Sequence, residues 1–316
     1  MPNLINEFSW SRSRDNLFQE CRRKYFYHYY GAWGGWEPDA PEDVRALYVL
    51  KQLSSRQQWA GKTVHEAVEW ALRALSEGRE LPESWLVDET VKRMRREWKA
   101  SHNKQYWQNP KGAALFEHEY QVAVTPEEWQ LLRDHVVRCL RNFYRLDLLT
   151  DIRQTPRERW VMIEEIRAFD FEGTSVYGAP DFAYWTREGR GAGGGAGDGG
   201  RLALVDWKTG GGDPEKSGFQ LGIYALYARE VLKVEPQRVD LVLVNLREPK
   251  ASRIPWDEAL LEEVKERFRL SVRSMKAWLR DPSSNVAVME DFEKAEDLRL
   301  CRRCNFRSVC RPELST

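Results

Sequence analysis

The feature that most constrains this chain is the run Leu202-Ala203-Leu204-Val205-Asp206-Trp207-Lys208, an apolar segment that passes without a break into charge. Four consecutive apolar residues after a glycine-rich stretch read as a short buried strand. Asp206 and Lys208 are two apart, and side chains two apart on a strand share a face. A helix is expected next, over about 215–232, then a strand over 239–246 and a long helix over about 257–279. Strand, helix, strand predicts an α/β fold built on a mixed central sheet flanked by helices.

Upstream of the run, 160–166, 168–171, 175–177 and 182–185 read as short strands, with Glu172-Gly173 as a turn between two of them. The stretch 189–200 holds eight glycines in twelve residues and predicts a flexible loop joining two strands. Its glycines follow no phosphate-binding spacing. The first half reads as helical. An aromatic and basic segment over 9–30 leads to the loop Gly31-Ala32-Trp33-Gly34-Gly35-Trp36. Val64, Val68, Ala71, Leu72 and Leu75 mark a helix over about 61–76, and a basic helix including Arg93, Arg95 and Arg96 follows near 84–99. Thr125-Pro126-Glu127-Glu128 is a capping-box start with proline in the first turn, for a helix running to about 146. No functional motif stands out between 81 and 155. Three regions are expected: a helical one over 1–155, an α/β core over 156–285 and a C-terminal segment over 286–316.

Lys plus Arg and Asp plus Glu each number 49, so net charge gives no argument for nucleic acid and any basic surface must be local. No apolar run approaches the roughly 20 residues that span a bilayer. Residues 1–10 lack the basic and apolar regions of a signal peptide, so a cytoplasmic location is expected. Disulfides are not expected in a reducing compartment. Most of the 14 tryptophans should be structural.

The chemistry concentrates in Pro180-Asp181 and, across a hairpin, Asp206-Trp207-Lys208. Two carboxylates on adjacent strand ends can share a hard cation, Mg²⁺ or Mn²⁺, which prefers oxygen ligands. Such a cation polarises a phosphate and lowers the pKa of a bound water, which suits phosphodiester hydrolysis. The Lys208 ammonium can orient that water or offset charge growing on the phosphate. On Pro180, Asp181, Asp206 and Lys208 the chain resembles the PD-(D/E)xK nucleases, which implies a restriction-endonuclease-like core. Two further motifs are similar to the RecB-like branch. His65, in Gly61-Lys62-Thr63-Val64-His65-Glu66, matches a helical histidine, and Gln220-Leu221-Gly222-Ile223-Tyr224 matches a Q-x-x-x-Y motif. The resemblance implies that His65 joins Asp181 and Asp206 as a metal ligand, with the Trp207 carbonyl as a possible further one. It also implies that Gln220 and Tyr224, one helical turn apart, face the active site and the nucleic-acid backbone.

Cys301-x2-Cys304-x5-Cys310 is metal-ligand spacing, and Cys21 is the candidate fourth ligand, stapling the two ends of the chain. Spacing alone leaves Zn²⁺ and an iron–sulfur centre open. The surroundings of Cys21 and the aromatic Phe306 resemble the cysteine segments of iron–sulfur RecB-like nucleases, which implies a [4Fe-4S] cluster. Cys139 lies on the apolar stripe Leu132, Val136, Cys139, Leu140, Phe143 and reads as a core thiol. Arg299, Arg302, Arg303, Arg307 and Arg311 form a basic run suited to phosphate backbones or to plain solvation. No base-reading module is present, so little sequence specificity is expected. The implied activity is a metal-dependent DNA nuclease similar to exonuclease V and the CRISPR spacer-acquisition nucleases. It would be a single-strand-preferring exonuclease in repair, recombination or defence. No Walker A sequence occurs, so a helicase would be a separate partner, as would a CRISPR protein. The alternative is a non-catalytic DNA-binding or interaction subunit with a relic nuclease fold, against which the intact acidic and lysine positions stand.

Overall fold

The structure, a computed structural model, describes residues 4–165, 168–186, 200–211 and 214–314. The glycine-rich loop expected over 189–200 lies, up to residue 199, outside the described residues.

The strands are β1 (Ser9–Ser11), β2 (Trp160–Ile163), β3 (Ala168–Phe171), β4 (Thr174–Tyr177), β5 (Phe182–Trp185), β6 (Leu202–Lys208), β7 (Val239–Asn245) and β8 (Lys250–Ile254). They form a large sheet in the order β2-β5-β6-β7-β8 and a small one in the order β1-β4-β3. Within the large sheet β6 and β7 run parallel and the other neighbours antiparallel. The expected mixed α/β fold is therefore the observed one.

The helices are α1 (Arg12–Glu20), α2 (Arg22–Phe26), α3 (Glu42–Leu50), α4 (Arg56–Ser76), α5 (Glu83–His102), α6 (Phe116–Glu119), α7 (Pro126–Tyr144), α8 (Asp147–Gln154), α9 (Pro214–Glu230), α10 (Glu258–Lys276), α11 (Leu298–Arg302) and α12 (Arg307–Cys310). Alternation along β6 fixes the layers. Leu202 and Leu204 enter a core shared with α9 and α10, while Ala203, Val205 and Trp207 enter one shared with α4, α5 and α7. By the same parity Asp206 and Lys208 face α9. No helix among the described residues is long and apolar enough to cross a membrane.

Several boundaries differ from the expectations, each for a local reason. The segment 9–30 is not one helix. Ser9–Ser11 pairs with β4, and Trp10 is fully buried, donating Nε1–H to Ser271 Oγ at 2.9 Å. Cys21 then takes an extended conformation (φ −163°, ψ 121°) that ends α1 and caps α2. α4 starts at Arg56 because Ser55 and Gln58 form a reciprocal capping box. β2 stops at Ile163, since Glu164 has φ 43°, a left-handed conformation that cannot continue a strand. The Glu172-Gly173 turn has φ 51° and 71°, the positive pair that a tight two-residue hairpin requires. β8 went unread because Lys250–Ile254 is mostly exposed and lacks apolar alternation; pairing with β7 makes it a strand. Trp10, Trp59, Trp160 and Trp207 are core residues, while Trp33, Trp70, Trp85 and Trp107 are exposed.

α9 is apolar nearly all round, with Leu221, Ile223, Tyr224, Ala225, Leu226, Tyr227 and Ala228 buried. Such a helix has to be covered on both sides, here by the sheet and α10. Gly222 permits the approach of α10, since a Cβ there would sit 2.4 Å from Val264 Cγ2.

The two ends of the chain meet. Arg23 donates Nε–H to Phe292 O at 2.7 Å and its amide to Glu293 O at 3.0 Å. Phe292 is fully buried among Tyr25, Phe26, Tyr30 and Trp278.

Candidate active site

Strand register gathers carboxylates at one end of the large sheet. Ile163 pairs with Phe182, so the next position outward sets Glu164 beside Asp181, and the Glu164 amide donates to Asp181 O at 2.7 Å. Phe182 also pairs with Val205, which brings Asp181 to Asp206 on the neighbouring strand. The Trp207 amide donates to Asp181 Oδ2 at 2.7 Å. From α4, His65 Nδ1 lies 3.3 Å from Glu164 Oε1 and 3.5 Å from Asp181 Oδ2. α4 is held close at this end: a Cβ on Gly61 would meet Thr209 Oγ1 at 3.2 Å.

The opposite wall is α9. Lys208 Nζ is 2.7 Å from Asp206 Oδ2 and donates to Gln220 Oε1 at 3.1 Å. Gln220 Nε2 donates to Asp206 Oδ1 at 3.1 Å and to the Tyr224 hydroxyl, which itself reaches Asp206 Oδ1 at 3.2 Å. Gln220 thus bridges the ammonium and the carboxylate. Tyr224 is 4% exposed, so its hydroxyl serves Asp206 here rather than open solvent.

The electrostatics are those of crowded negative charge. Burial, then the neighbouring Asp206 and Glu164, raise the Asp181 pKa well above the carboxylate range. Burial opposes protonation of His65, but Glu164, Asp181 and Asp206 outweigh it and push its pKa up to about 9. Tyr224 is likewise raised by burial and by Asp206. Such a cluster needs positive charge, and the donor set suits a hard divalent cation. Ligand atoms of His65, Glu164 and Asp181 lie within 4.8 Å of one another. Glu164 Oε1 and Asp206 Oδ2 are buried, the first facing His65 Nδ1 at 3.3 Å and the second Lys208 Nζ at 2.7 Å, and each is the kind of oxygen that Mg²⁺ or Mn²⁺ takes.

A family profile described as the PD-(D/E)XK nuclease superfamily matches residues 9–311. The chain belongs to the PD-(D/E)XK nuclease superfamily. A PD-(D/E)XK protein is a hydrolytic nuclease by family, with a nucleic acid as substrate and typically Mg²⁺ or Mn²⁺ as cofactor. No curated protein matches the chain.

The residues singled out from this PD-(D/E)XK sequence, His65, Asp181, Asp206, Lys208, Gln220 and Tyr224, are all in one hydrogen-bonded or ion-paired cluster. Glu164 is the member that sequence reasoning missed. Its only signal was a carboxylate near the end of a short strand, no different from Glu165 beside it.

A second cluster joins the chain's ends. Cys21, Cys301, Cys304 and Cys310 line one small cavity together with Tyr27 and Ala295. The break between α1 and α2 puts Cys21 there, its sulfur accepting the Lys24 amide at 3.4 Å. Burial pushes the Cys304 thiol up to about 12 and raises Cys310 as well. Burial thus favours neutral thiols at these two positions, and a thiolate there would need compensating positive charge. Cys139 lies elsewhere, fully buried in the α4–α7 core as its stripe predicts. Of the basic run, Arg299 is paired with Asp297, and Arg307 stacks on Tyr120 at 4.0 Å.

Proposed function

We propose that this protein is a Mg²⁺- or Mn²⁺-dependent deoxyribonuclease of the RecB-like branch, acting on single-stranded DNA as an exonuclease with little sequence specificity. The observation that carries the reading is the meeting of His65, Glu164, Asp181 and Asp206 at one sheet end, with Lys208 beside them. His65, Asp181 and Asp206 would hold the cation, with Glu164 added to the set implied by sequence and the Trp207 carbonyl as a further oxygen. The bound cation supplies an acidified water and a polarised phosphate. Lys208 orients the attacking water and offsets charge on the phosphate. Gln220 fixes the Lys208 ammonium against Asp206, and Tyr224 steadies the same carboxylate.

Cys21, Cys301, Cys304 and Cys310 would bind a [4Fe-4S] cluster that staples the chain's ends. Tetrahedral Zn²⁺ with Zn–S of about 2.3 Å needs sulfurs only about 3.8 Å apart. Four thiolates also suit the larger iron–sulfur centre, and the similarity of the Cys21 and Phe306 surroundings to iron–sulfur RecB-like nucleases favours it over zinc. Repair, recombination and CRISPR-type defence are the processes that such an enzyme serves, with a helicase or CRISPR protein as partner and the cytoplasm as its place.

The test is cleavage of end-labelled single- and double-stranded DNA, with Mg²⁺, Mn²⁺ or chelator, by anaerobically purified wild type and Asp206→Ala. Metal-dependent loss of single-strand label by the wild type alone is expected, with iron and sulfide in both proteins. Cleavage by Asp206→Ala would overturn the mechanism. A folded wild type that binds DNA but never cuts it would favour the relic subunit, and zinc without sulfide would replace the cluster.

A further inference from the structure

Away from the acidic site, a group of aromatic rings lies between α5 and the start of α7, packed on the core by one side and open on the other. Trp98 stacks on His102, with ring centres 4.9 Å apart and planes 16° from parallel. Trp129 meets Trp98 edge-on at 6.0 Å. These rings border an open groove of about 910 Å³, at the upper end of ordinary ligand sites. His118 continues the aromatic wall beyond Trp129, at 5.5 Å. Three cations, Arg95, Lys99 and Arg133, also line the groove, and no Asp or Glu does. Arg133 is held by Asp134 at 2.7 Å, but Arg95 and Lys99 are exposed and make no ion pair among the described residues.

Aromatic planes beside uncompensated cations suit one polymer in particular. A single nucleic-acid strand offers unstacked bases to the rings and phosphates to the cations. A duplex hides its base faces, and an apolar peptide gains nothing from Arg95 and Lys99. The groove is also connected to the metal-binding end. Trp59, packed at 6.5 Å against Trp129, precedes His65 on α4 by six residues, a rise of about 9 Å.

We propose that the Trp98–Trp129 groove is a binding site for single-stranded nucleic acid outside the cleavage centre, holding the strand by base stacking and phosphate pairing. The inference rests on the nuclease reading and adds to it a second contact with the substrate. A remote hold of this kind raises affinity for long strands without entering the chemical step, so it changes KM and not kcat.

The experiment measures binding of a thymidine homopolymer and of an abasic strand of equal length, without added divalent metal. It compares wild type, Trp98→Ala, Trp98→Phe and the double variant Arg95→Glu/Lys99→Glu, each checked for fold by its melting midpoint. Wild type should prefer the base-bearing strand. Trp98→Ala should weaken that strand roughly tenfold and abolish the preference, and Trp98→Phe should restore most of it. The charge reversal, at two exposed positions that leave the fold intact, should weaken both strands and flatten the salt dependence. With Mg²⁺, cleavage of a trinucleotide should stay at the wild-type rate in every variant. Folded variants that bind the homopolymer as wild type does would overturn the groove while leaving the nuclease standing. Equal loss of base-bearing and abasic strands in Trp98→Ala would overturn stacking. A change in sedimentation without a change in strand affinity would make a second copy of the chain the occupant instead. A wild type that binds no strand would overturn the groove, while cleavage of the trinucleotide with Mg²⁺ tests the nuclease reading separately.

Discussion

Glu164 shows how much a single backbone conformation decides. Its left-handed φ of 43° ends β2 and turns the carboxylate toward His65 and Asp181. Facing His65 Nδ1, Oε1 adds negative charge beside Asp181, where ligand atoms of three residues converge. Glu164→Gln keeps the shape and removes the charge. We expect metal affinity to fall by on the order of tenfold or more, so that cleavage drops at limiting Mg²⁺ and recovers at high Mg²⁺. A metal titration of the cleavage rate reads this directly, and an unchanged half-saturating concentration would remove Glu164 from the ligand set. Gln220 makes a separate prediction at this scale. Gln220→Leu leaves Asp206 Oδ1 with only Tyr224 and Lys208 with only Asp206, so kcat should fall while melting barely moves. Equal losses in both would mean that Gln220 is merely structural.

At the scale of elements, the position of Gln220 and Tyr224 depends on how tightly α9 is clamped between sheet and α10. Gly222 lies between them on the same helix, and the 2.4 Å gap to Val264 Cγ2 leaves no room for a methyl group. Gly222→Ala must push α10 away, at a cost of about 1–3 kcal/mol, against a gain of up to about 1 kcal/mol in helix propensity. The expected net result is a lower urea midpoint together with lost cleavage. Adding Val264→Ala should return much of both, and a double variant as impaired as the single one would rule out this clash as the cause.

For the whole molecule, three half-buried histidines make stability depend on pH. His28, desolvated and facing Lys51, Lys24 and Arg14, has its pKa lowered to about 4. His118 is lowered to about 4 by burial and by His102. Both are neutral when folded but take protons when unfolded, so their contribution is full above about 6.5 and lost as pH falls toward 4. His65 has the opposite sign. Its folded pKa is about 9, so its contribution is full below about 6.5 and lost as pH rises through 9. A cation held by His65, as proposed, would replace that proton and remove the alkaline loss. Without added metal, melting should therefore fall off on both sides of about pH 6.5. The upward shift caused by Mn²⁺ should grow between pH 6.5 and 9. A metal-induced shift that stays constant across that range would separate His65 from the cation.

Local pattern made much of this protein legible. The apolar run into Asp206 and Lys208 gave the central strand and its charged end, because strand alternation is a property of consecutive residues. The Thr125 capping box, the Cys139 stripe and the Glu172-Gly173 turn are local in the same way. Tertiary structure decided what depends on residues far apart in the chain. Glu164 joined the site only through the register of β2 on β5. Cys21 reached Cys301, Cys304 and Cys310 only because an extended residue split the N-terminal helix. The basic, motif-free stretch around Trp98 became a groove only when α7 set Trp129 beside it. Periodicity tells a side chain which face it shares, but only packing tells it which distant side chain it will meet.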